Sequence, residues 1–338
     1  MNKLINKALK ELSYQTSWYV TSPEFLSLMI TLSCNFHCST CSLWQKTNLE
    51  ELDEASWKNI VNKLTSVLKP STFVEINGGE PLMRKNLTLF LVKELKKYFT
   101  KVALNSNGLL INEKIIRKLK SNHLDIIKIS FYSLNEKIHN HLRGHKLAYN
   151  QAKKAIEIIN KEQLNLEIGL LITAQNIQGA PKLIEYLQKL PNTSIVIQPL
   201  DEKIESVKSK NQGNNLIDTN LWPNKNEVNI LFDYILQNNK NIKNSPANIE
   251  AIRQYYLNPN HILKYRCFAG QRNLVIRPNG DVALCFKSPK IGNIKKQDLK
   301  EILKKATNER KQIKKCQKYC RIIGCNFSRG LKEFIQKR

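Results

Sequence analysis

The strongest constraint on the fold of this chain is a regular alternation of short apolar runs with amphipathic stretches between residues 25 and 199. Short runs of aliphatic and aromatic residues predict buried strands, whereas apolar residues that repeat every three or four positions predict helices. We predict strands at residues 25–32, 72–76, 101–105, 125–131, 166–173 and 194–198. Strands that alternate with helices in this way are typical of a parallel sheet covered by helices.

The first intervening helix shows the pattern most clearly. It is predicted to begin after Asp53, a suitable N-cap residue, and to end before Pro70. Its apolar face consists of Trp57, Ile60, Val61, Leu64 and Leu68. Similar stripes predict helices at residues 87–98, 113–120, 149–160 and 181–190. Because six units are fewer than the eight of a closed barrel, we predict an α/β fold in the form of an open, partial TIM-type barrel of about six βα units.

Composition and pattern divide the chain into four predicted segments: an N-terminal extension (1–24), the partial barrel (25–200), a linker and helical segment (201–260) and a small C-terminal domain (261–338). In the last two segments we predict helices at 225–237, 247–257 and near 299–305. A β-hairpin is predicted across 273–284, with its turn at Asn279 and Gly280.

Cys34, Cys38 and Cys41 lie on one short loop after the first predicted strand. This spacing allows three thiols to converge on a single metal cluster. A structural zinc site or a closed iron–sulfur site takes four protein ligands, so three cysteines leave one coordination position open for chemistry. A zinc loop or three unrelated buried cysteines is the alternative reading of the spacing alone.

Polar motifs follow the other predicted strands. They are Gly78-Gly79-Glu80-Pro81 after the second strand, Asn107 after the third, Ser130 at the end of the fourth, Arg143 in the loop beyond it, and Gln198 at the end of the sixth. Barrel enzymes assemble their sites at this end of the strands. A guanidinium suits a carboxylate and a hydroxyl suits a ribose, so these side chains predict a binding site beside the cysteine loop.

A second group of cysteines lies near the C-terminus: Cys267, Cys285, Cys316, Cys320 and Cys325. The predicted hairpin would bring Cys267 and Cys285 together, and the remaining three follow a predicted helix. Such a set indicates either an iron–sulfur cluster or a structural zinc, because ligation by four thiolates suits both metals.

The C-x3-C-x2-C spacing of Cys34, Cys38 and Cys41 resembles the signature of the radical S-adenosylmethionine (SAM) superfamily. The resemblance implies that the three thiolates hold three irons of a 4Fe–4S cluster and that SAM binds the fourth. Thr40 stands where an aromatic residue usually precedes the third cysteine, and Phe36 keeps the apolar residue after the first.

The resemblance also implies roles in SAM binding for residues of the strand-end motifs. Gly78 to Pro81 match the loop that binds the amino group of SAM, and Asn107 belongs to a turn that either reaches the cofactor or buttresses the loop. Ser130 and Arg143 correspond to residues that contact the ribose and the carboxylate, although Tyr132 and Ser133 replace the Asp-Gly that usually follows the serine. Gln198 is a candidate for hydrogen bonding to cofactor or substrate, and Leu170 and Leu171 are candidates for flanking the adenine or for core packing.

The C-terminal cysteines resemble the auxiliary-cluster extension called SPASM in its full form and twitch when shortened. Five cysteines stand where the full form has seven, so the resemblance implies one auxiliary 4Fe–4S cluster. Its ligands would be Cys267 and Cys285 with two of Cys316, Cys320 and Cys325. A structural zinc at the same thiols remains the alternative.

His139, His141 and His145 cluster near Arg143. Without further ligands nearby we interpret them as loop or capping residues and not as a metal site.

The formal net charge is +26, and residues 261–338 contain 21 lysines and arginines against 5 acidic residues. Such a surface attracts nucleic acid, an acidic peptide or an acidic electron donor, unless it is simply solvated. Nucleic acid is disfavoured because no aromatic stacking platform accompanies the charge. No apolar run has the length of a signal peptide or membrane span, and the cysteines suit cluster ligation, so we predict a cytoplasmic protein without membrane contact.

The resemblance to the radical SAM superfamily implies an enzyme that cleaves SAM reductively to a 5′-deoxyadenosyl radical and abstracts hydrogen from a substrate. The resemblance implies a peptide substrate. The alternative is dehydrogenation, epimerisation or rearrangement of a small molecule such as a sugar or cofactor precursor. Flavodoxin or ferredoxin is the implied electron donor. A zinc-stabilised nucleic-acid-binding protein is the alternative from another functional class.

Overall fold

The computed structural model describes residues 3–45, 49–201, 221–323 and 327 of the chain. Six parallel strands form its centre: β1 (Phe25–Met29), β2 (Phe73–Asn77), β3 (Lys101–Ser106), β4 (Ile126–Ser130), β5 (Leu166–Leu171) and β6 (Thr193–Gln198). They lie in the sheet in their order along the chain, each hydrogen-bonded to its neighbours. The sheet does not close, so the predicted open, partial barrel is confirmed.

Helices separate these strands along the chain, and further helices precede and follow the six strands. Their bounds are α1 (Lys3–Thr16), α2 (Glu54–Val67), α3 (Lys85–Lys96), α4 (Glu113–Ser121), α5 (Glu136–Arg143), α6 (Ala148–Lys161), α7 (Ala180–Gln188), α8 (Lys225–Gln237), α9 (Pro246–Leu257), α10 (Ala269–Arg272), α11 (Leu299–Lys305) and α12 (Thr307–Lys315). As predicted, Asp53 caps α2 by accepting a hydrogen bond from the Ser56 amide at 2.8 Å. The α2 residues Trp57, Ile60, Val61 and Leu64 are all buried, and each such side chain contributes roughly 1.5–3 kcal/mol.

The C-terminal hairpin extends the barrel sheet, which sequence pattern alone did not predict. Its strands are β7 (Asn273–Ile276) and β8 (Asp281–Ala283), followed by the short β9 (Gly292–Asn293). The turn at Asn279 and Gly280 is confirmed, with Gly280 at a φ of +84°. β7 pairs in parallel with β1, whereas β8 pairs with β7 in the antiparallel direction. The strand that leads into the first cysteine loop therefore has β2 on one side and the C-terminal hairpin on the other.

At the opposite edge of the sheet, β6 is covered by the segment ahead of α9. The Ile195 amide donates to the Asn241 carbonyl at 2.9 Å, and the Lys243 amide donates to the Ile195 carbonyl at 2.9 Å. The Asn244 side chain also bonds both backbone groups of Ile197. These bonds satisfy the backbone of an edge strand that would otherwise be open to another chain.

The N-terminal helix α1 packs against the C-terminal cysteine region. Tyr14 stacks on Phe268 with 4.6 Å between ring centroids. Glu11 pairs with Arg266 at 2.7 Å, and Lys314 donates to the Tyr14 carbonyl at 2.6 Å. Among the described residues, no helix has both the length and the apolar character that crossing a bilayer requires.

A buried charge layer crosses the inside of the barrel. We use this name for Glu75 on β2, Lys128 on β4 and Glu167 on β5, which the more exposed Lys243 ahead of α9 joins from outside. The Lys128 ammonium lies 2.5 Å from Glu75 Oε1 and 2.8 Å from Glu167 Oε1, and Lys243 lies 2.9 Å from the other Glu167 oxygen. Burial opposes the charge on Lys128, but the two carboxylates outweigh it and raise its pKa. The Lys128 ammonium therefore stays charged and bridges the two carboxylates.

Replacing the central cation of this layer is expected to destabilise the fold. In Lys128→Met, Glu75 loses its cationic partner and Glu167 keeps only the more exposed Lys243, so the free energy of unfolding should fall by roughly 3–5 kcal/mol. Equilibrium unfolding in urea under anaerobic conditions measures the change. The matched control is the triple variant Glu75→Gln, Lys128→Met, Glu167→Gln, which removes all three charges and should recover most of the loss. Equal stability of Lys128→Met and the native protein would contradict a paired charge layer.

Candidate active site

The three N-terminal cysteines meet at one cavity. Cys34, Cys38 and Cys41 line a cavity of about 620 Å³. It is also lined by Gly78, Gly79, Asn107, Ser130, Arg143 and Gln198. Seven of the eight cysteines fall within the described residues. The strand-end motifs and the cysteine loop are therefore brought together, as their positions in the sequence predicted.

Backbone hydrogen bonds hold the start of the cysteine loop against the glycine motif. The Gly79 amide donates to the Thr31 carbonyl at 2.9 Å, and the Glu80 amide donates to the Ser33 carbonyl at 2.8 Å. The approach leaves no room for a side chain, since a Cβ on Gly79 would lie 2.1 Å from the Ser33 oxygen. Gly78 has a φ of +151°, which residues with a side chain rarely adopt. The glycines thus allow two loops to touch just ahead of Cys34.

The end of α5 holds the middle of the cysteine loop. The Ser39 amide donates to the Leu142 carbonyl at 3.2 Å. Gly144 has a φ of +58°, and a Cβ at this position would lie 2.1 Å from the His37 carbonyl oxygen. The Arg-Gly pair therefore combines two roles, because Arg143 faces the cavity while Gly144 admits the backbone that carries Cys38.

Glu80 lies behind the cavity wall and is fully buried. One carboxylate oxygen accepts from the Leu82 amide at 3.0 Å and from the Ser106 hydroxyl at 3.0 Å, and the other accepts from the Asn107 amide at 2.7 Å. Burial raises the pKa of this carboxyl group, although the three donors oppose the shift. Pro81 begins the 3-10 turn Pro81–Arg84 behind it. Glu80 therefore joins the loops that follow β2 and β3.

Asn107 buttresses the cysteine loop. Its Nδ2 donates to Asn35 Oδ1 at 2.6 Å, and its Oδ1 accepts from the Leu109 amide at 3.0 Å. Both side-chain polar atoms are thus engaged within the protein. Of the two roles that the sequence left open for Asn107, the contacts in this structure are those of the buttress.

Arg143 offers a positive charge to the cavity. Its guanidinium is 8% exposed and lies between the rings of Phe36 and Tyr132, 5.5 and 5.1 Å from their centroids. Nη1 donates to the Tyr132 hydroxyl at 3.0 Å, whereas the buried Nε has no hydrogen-bond partner. A buried guanidinium with an unused donor next to three thiols fits an anionic group such as a carboxylate.

Other predicted site residues divide between the cavity and the core. Ser130 and Gln198 line the cavity, with Gly169 between them on β5. Leu170 and Leu171 are buried in the main core, so of the two readings the structure supports core packing.

The histidines near Arg143 serve the local structure. His139 is buried and its Nδ1 accepts from the Tyr132 amide at 3.1 Å, while burial lowers its pKa to about 3. His145 stacks on Phe36 with 4.6 Å between ring centroids. Helix α5 occupies the stretch beyond the fourth strand that we predicted as a loop, so that prediction is wrong: Arg143 ends this helix and His139 is buried within it.

Four of the C-terminal cysteines interact with one another. A hydrogen bond from the Cys320 thiol lowers the pKa of Cys285. Burial raises the pKa of Cys267 to about 11, and the neighbouring Cys285 and Cys316 contribute to that rise.

Cys325 lies outside the described residues, so its predicted ligand role has no structural account here. Among described residues, no three cysteine, histidine or acidic side chains are grouped closely enough to hold one metal ion. A 4Fe–4S cluster instead takes each thiolate on a different iron.

The C-terminal cysteine region borders the first cavity, which the sequence did not predict. Ile323 lines the cavity. Burial raises the pKa of Tyr319, and the neighbouring Asp201, Cys320 and Cys41 add to the rise. Tyr319 is thus within electrostatic range of cysteines from both groups. The buried charge layer is a second feature missed from the sequence, although charged residues within otherwise apolar strands were an available signal.

Two family models match this chain. One, described as the radical SAM superfamily, matches residues 28–187, and the other, described as an iron-sulfur cluster-binding domain and named SPASM, matches residues 267–326. These matches confirm the resemblance read from both cysteine groups. The second model spans all five C-terminal cysteines and supports iron–sulfur ligation there over a structural zinc.

Curated relatives are similar at low identity. An AdoMet-dependent heme synthase of Methanosarcina barkeri is 25% identical over 175 residues, which is 50% of this chain and 48% of the relative. A PqqA peptide cyclase of Granulibacter bethesdensis is 25% identical over 181 residues, 52% of this chain and 46% of the relative. A probable GTP 3',8-cyclase of Methanococcus aeolicus is 27% identical over 197 residues, 53% of this chain and 61% of the relative. The chain spans about half the length of the curated relatives it matches.

Solved structures share the fold. SuiB from Streptococcus suis superposes with a TM-score of 0.64 at 18% identity, covering 89% of this chain and 69% of that one. The structure of anSMEcpe with bound AdoMet and the Cp18Cys peptide superposes with a TM-score of 0.63 at 17% identity, covering 90% of this chain and 89% of that one. Both likenesses extend over the barrel and the C-terminal region, which agrees with the predicted architecture.

Closing the space at Gly144 should disrupt the cysteine loop. In Gly144→Ala, the methyl group meets the His37 carbonyl and the backbone keeps a left-handed φ. We therefore expect the free energy of unfolding to fall by about 1–3 kcal/mol and the iron content of the purified protein to fall with it. Thermal unfolding and iron analysis of anaerobic protein measure both effects. Gly179→Ala is the matched control, because Gly179 has a φ of −86° and open space around it. An alanine variant at 144 with native iron content and stability would contradict this packing.

Proposed function

We propose that this chain, which belongs to the radical SAM superfamily and carries an iron-sulfur cluster-binding domain near its C-terminus, cleaves SAM reductively and abstracts hydrogen from a peptide substrate. Members of this superfamily are enzymes whose cofactors are SAM and a 4Fe–4S cluster, and the C-terminal domain implies auxiliary iron–sulfur ligation. One auxiliary cluster is our expectation for this chain.

The observation that carries the proposal is the donor set of the cavity. Three thiols from one loop line it together with a buried guanidinium that has an unused Nε donor. Three thiolates suit three irons of a 4Fe–4S cluster and leave the fourth iron for SAM. A bidentate guanidinium suits the SAM carboxylate. The residues present therefore fit both cofactors.

A 4Fe–4S cluster held by Cys34, Cys38 and Cys41 would supply the electron for reductive cleavage of SAM to methionine and a 5′-deoxyadenosyl radical, and this radical would take a hydrogen atom from the substrate. In our proposal, Arg143 holds the SAM carboxylate, the backbone at Gly78 and Gly79 receives its amino group, and Ser130 contacts the ribose. Gln198 faces the cavity from β6 and bonds cofactor or substrate. Glu80, Pro81 and Asn107 do not contact SAM in this proposal. They hold the loops that carry the contacting residues in place.

Similarity favours a peptide as the substrate. The relatives and neighbours include a PqqA peptide cyclase and structures with the precursor peptide SuiA and the Cp18Cys peptide. A small-molecule substrate is the second candidate, because the relatives also include a heme synthase and a probable GTP cyclase. Mass spectrometry after anaerobic incubation with short peptides encoded beside this protein separates the two. A mass change in a peptide supports the first candidate, and turnover of SAM without one supports the second.

Removing the three thiols tests the proposed cluster assignment. The variant Cys34→Ala, Cys38→Ala, Cys41→Ala should keep roughly half of the iron, held by the C-terminal site, and should lose SAM cleavage. Iron analysis and quantification of 5′-deoxyadenosine are the measurements. Ser39→Ala is the control within the same loop, because its backbone amide bond to Leu142 remains. Continued 5′-deoxyadenosine formation by the triple variant would remove these cysteines from the reaction.

Electron supply is proposed to come from an acidic flavodoxin or ferredoxin, in the reducing cytoplasm that an open cluster requires. The net charge of +26 favours association with an acidic protein through long-range attraction. The rate of cluster reduction should therefore fall as salt rises from low to physiological concentration, because salt screens this attraction. Stopped-flow reduction with the acidic donor measures the rate, and reduction by dithionite is the control. A reduction rate that is independent of ionic strength would count against electrostatic recruitment.

A further inference from the structure

A single buried arginine joins three of the C-terminal cysteine segments. Arg321 directly follows Cys320. Its Nη1 donates to the Tyr265 carbonyl at 2.7 Å, and its Nη2 donates to the Lys314 carbonyl at 3.1 Å. Tyr265 stands two residues before Cys267, and Lys314 stands two residues before Cys316. The planar guanidinium thus fixes the backbone ahead of two cysteines from a position beside a third.

The charge of Arg321 lacks a partner of opposite sign in the described part of the protein. The residue is 6% exposed, and both of its hydrogen bonds go to neutral carbonyl groups. Its buried Nε has no hydrogen-bond partner. An unsatisfied buried donor is unfavourable, and buried charges are normally compensated.

A 4Fe–4S cluster with four thiolate ligands is an anion, and hydrogen bonds to its sulfur atoms and nearby charges set its reduction potential. We propose that Arg321 is a positioning residue for the auxiliary cluster: it gathers the segments of Cys267, Cys316 and Cys320, and directs its Nε–H and its positive charge to the cluster. The inference rests on the proposed auxiliary cluster. A positive charge stabilises the reduced, more negative form, so Arg321 raises the reduction potential of the cluster.

The chain contains a natural comparison for this role. Arg310 is 2% exposed, and its Nε and Nη2 donate to the carbonyls of Gly270 and Leu303 at 3.1 and 2.9 Å. Its Nη1 is also buried without a partner. Unlike Arg321, it bonds the backbone of α10 and α11 and lies over the Tyr19 ring. Arg310 therefore controls for the loss of a buried guanidinium in the same region.

The test is an EPR-monitored redox titration of the anaerobic full-length holoenzyme. The signal that is unchanged by added SAM belongs to the auxiliary cluster, and iron release to a chelator reports how firmly it is held. In Arg321→Gln, the midpoint potential of this signal should shift to a more negative value and chelation should be faster. Arg321→Lys keeps the charge but loses the two-pronged bonds, so its potential should shift less while its chelation stays fast. Arg310→Gln should leave the potential at the native value.

Each result decides the inference. Native potential and native chelation rate in Arg321→Gln overturn it, and so does an equal shift in Arg310→Gln. Selective loss of the auxiliary signal in Arg321→Gln, with the SAM-responsive signal retained, supports the gathering role. If that variant does not fold, Arg321→Lys decides, since native chelation there overturns the role of the guanidinium. A native holoenzyme that lacks any SAM-independent signal rejects the auxiliary cluster itself, which is the failure of the proposed function.

Discussion

The contact on which the rest of the structure depends is the direct backbone approach of the cysteine loop to two glycine-containing turns. The Gly79 and Glu80 amides bond the carbonyls of Thr31 and Ser33, and Gly144 lies against the His37 carbonyl. Neither approach leaves room for a Cβ. Because loop geometry is fixed by backbone bonds on both sides, three thiols on an irregular segment face one cavity instead of solvent.

The strands of the sheet and the loops next to the cavity hold this cysteine loop in place. β1, which delivers the loop, is an inner strand because the C-terminal hairpin pairs with it on one side and β2 on the other. Glu80 ties the loops after β2 and β3 together from behind the cavity wall. Deeper in the barrel, Lys128 bridges Glu75 and Glu167 and compensates their charge. A rigid, internally satisfied frame of this kind suits a site that must orient a cofactor and exclude water.

Local patterns allowed much of this fold to be predicted. The alternation of strands and helices, the Asp53 cap and the turn at Gly280 depend on neighbours in sequence, and the structure reproduces each of them. The cysteine loop and its partner motifs were predictable for a further reason: parallel strands place their carboxyl ends at one edge of a sheet. Arg143 and Gln198 were found in this way.

The features that sequence missed all depend on distant residues. Nothing in the pattern of residues 273–276 indicates that this strand pairs with β1, about 250 residues earlier in the chain. In the sequence, Arg321 is one of many basic residues. Its hydrogen bonds to the carbonyls of Tyr265 and Lys314, ahead of Cys267 and Cys316, are visible only in the structure. Glu80 reads as a direct ligand, whereas its carboxylate is engaged by three donors of the protein. Such roles follow from tertiary contacts, which periodicity and motif spacing do not encode.

The central claim is that three thiolates from one loop leave a cluster position for SAM. Its most direct test is incubation of the anaerobically purified, iron-reconstituted protein with SAM and a strong reductant, followed by quantification of 5′-deoxyadenosine. The account predicts a brown protein whose EPR signal changes when SAM is added and which forms 5′-deoxyadenosine with methionine. A colourless protein that binds no iron and leaves SAM intact would contradict it.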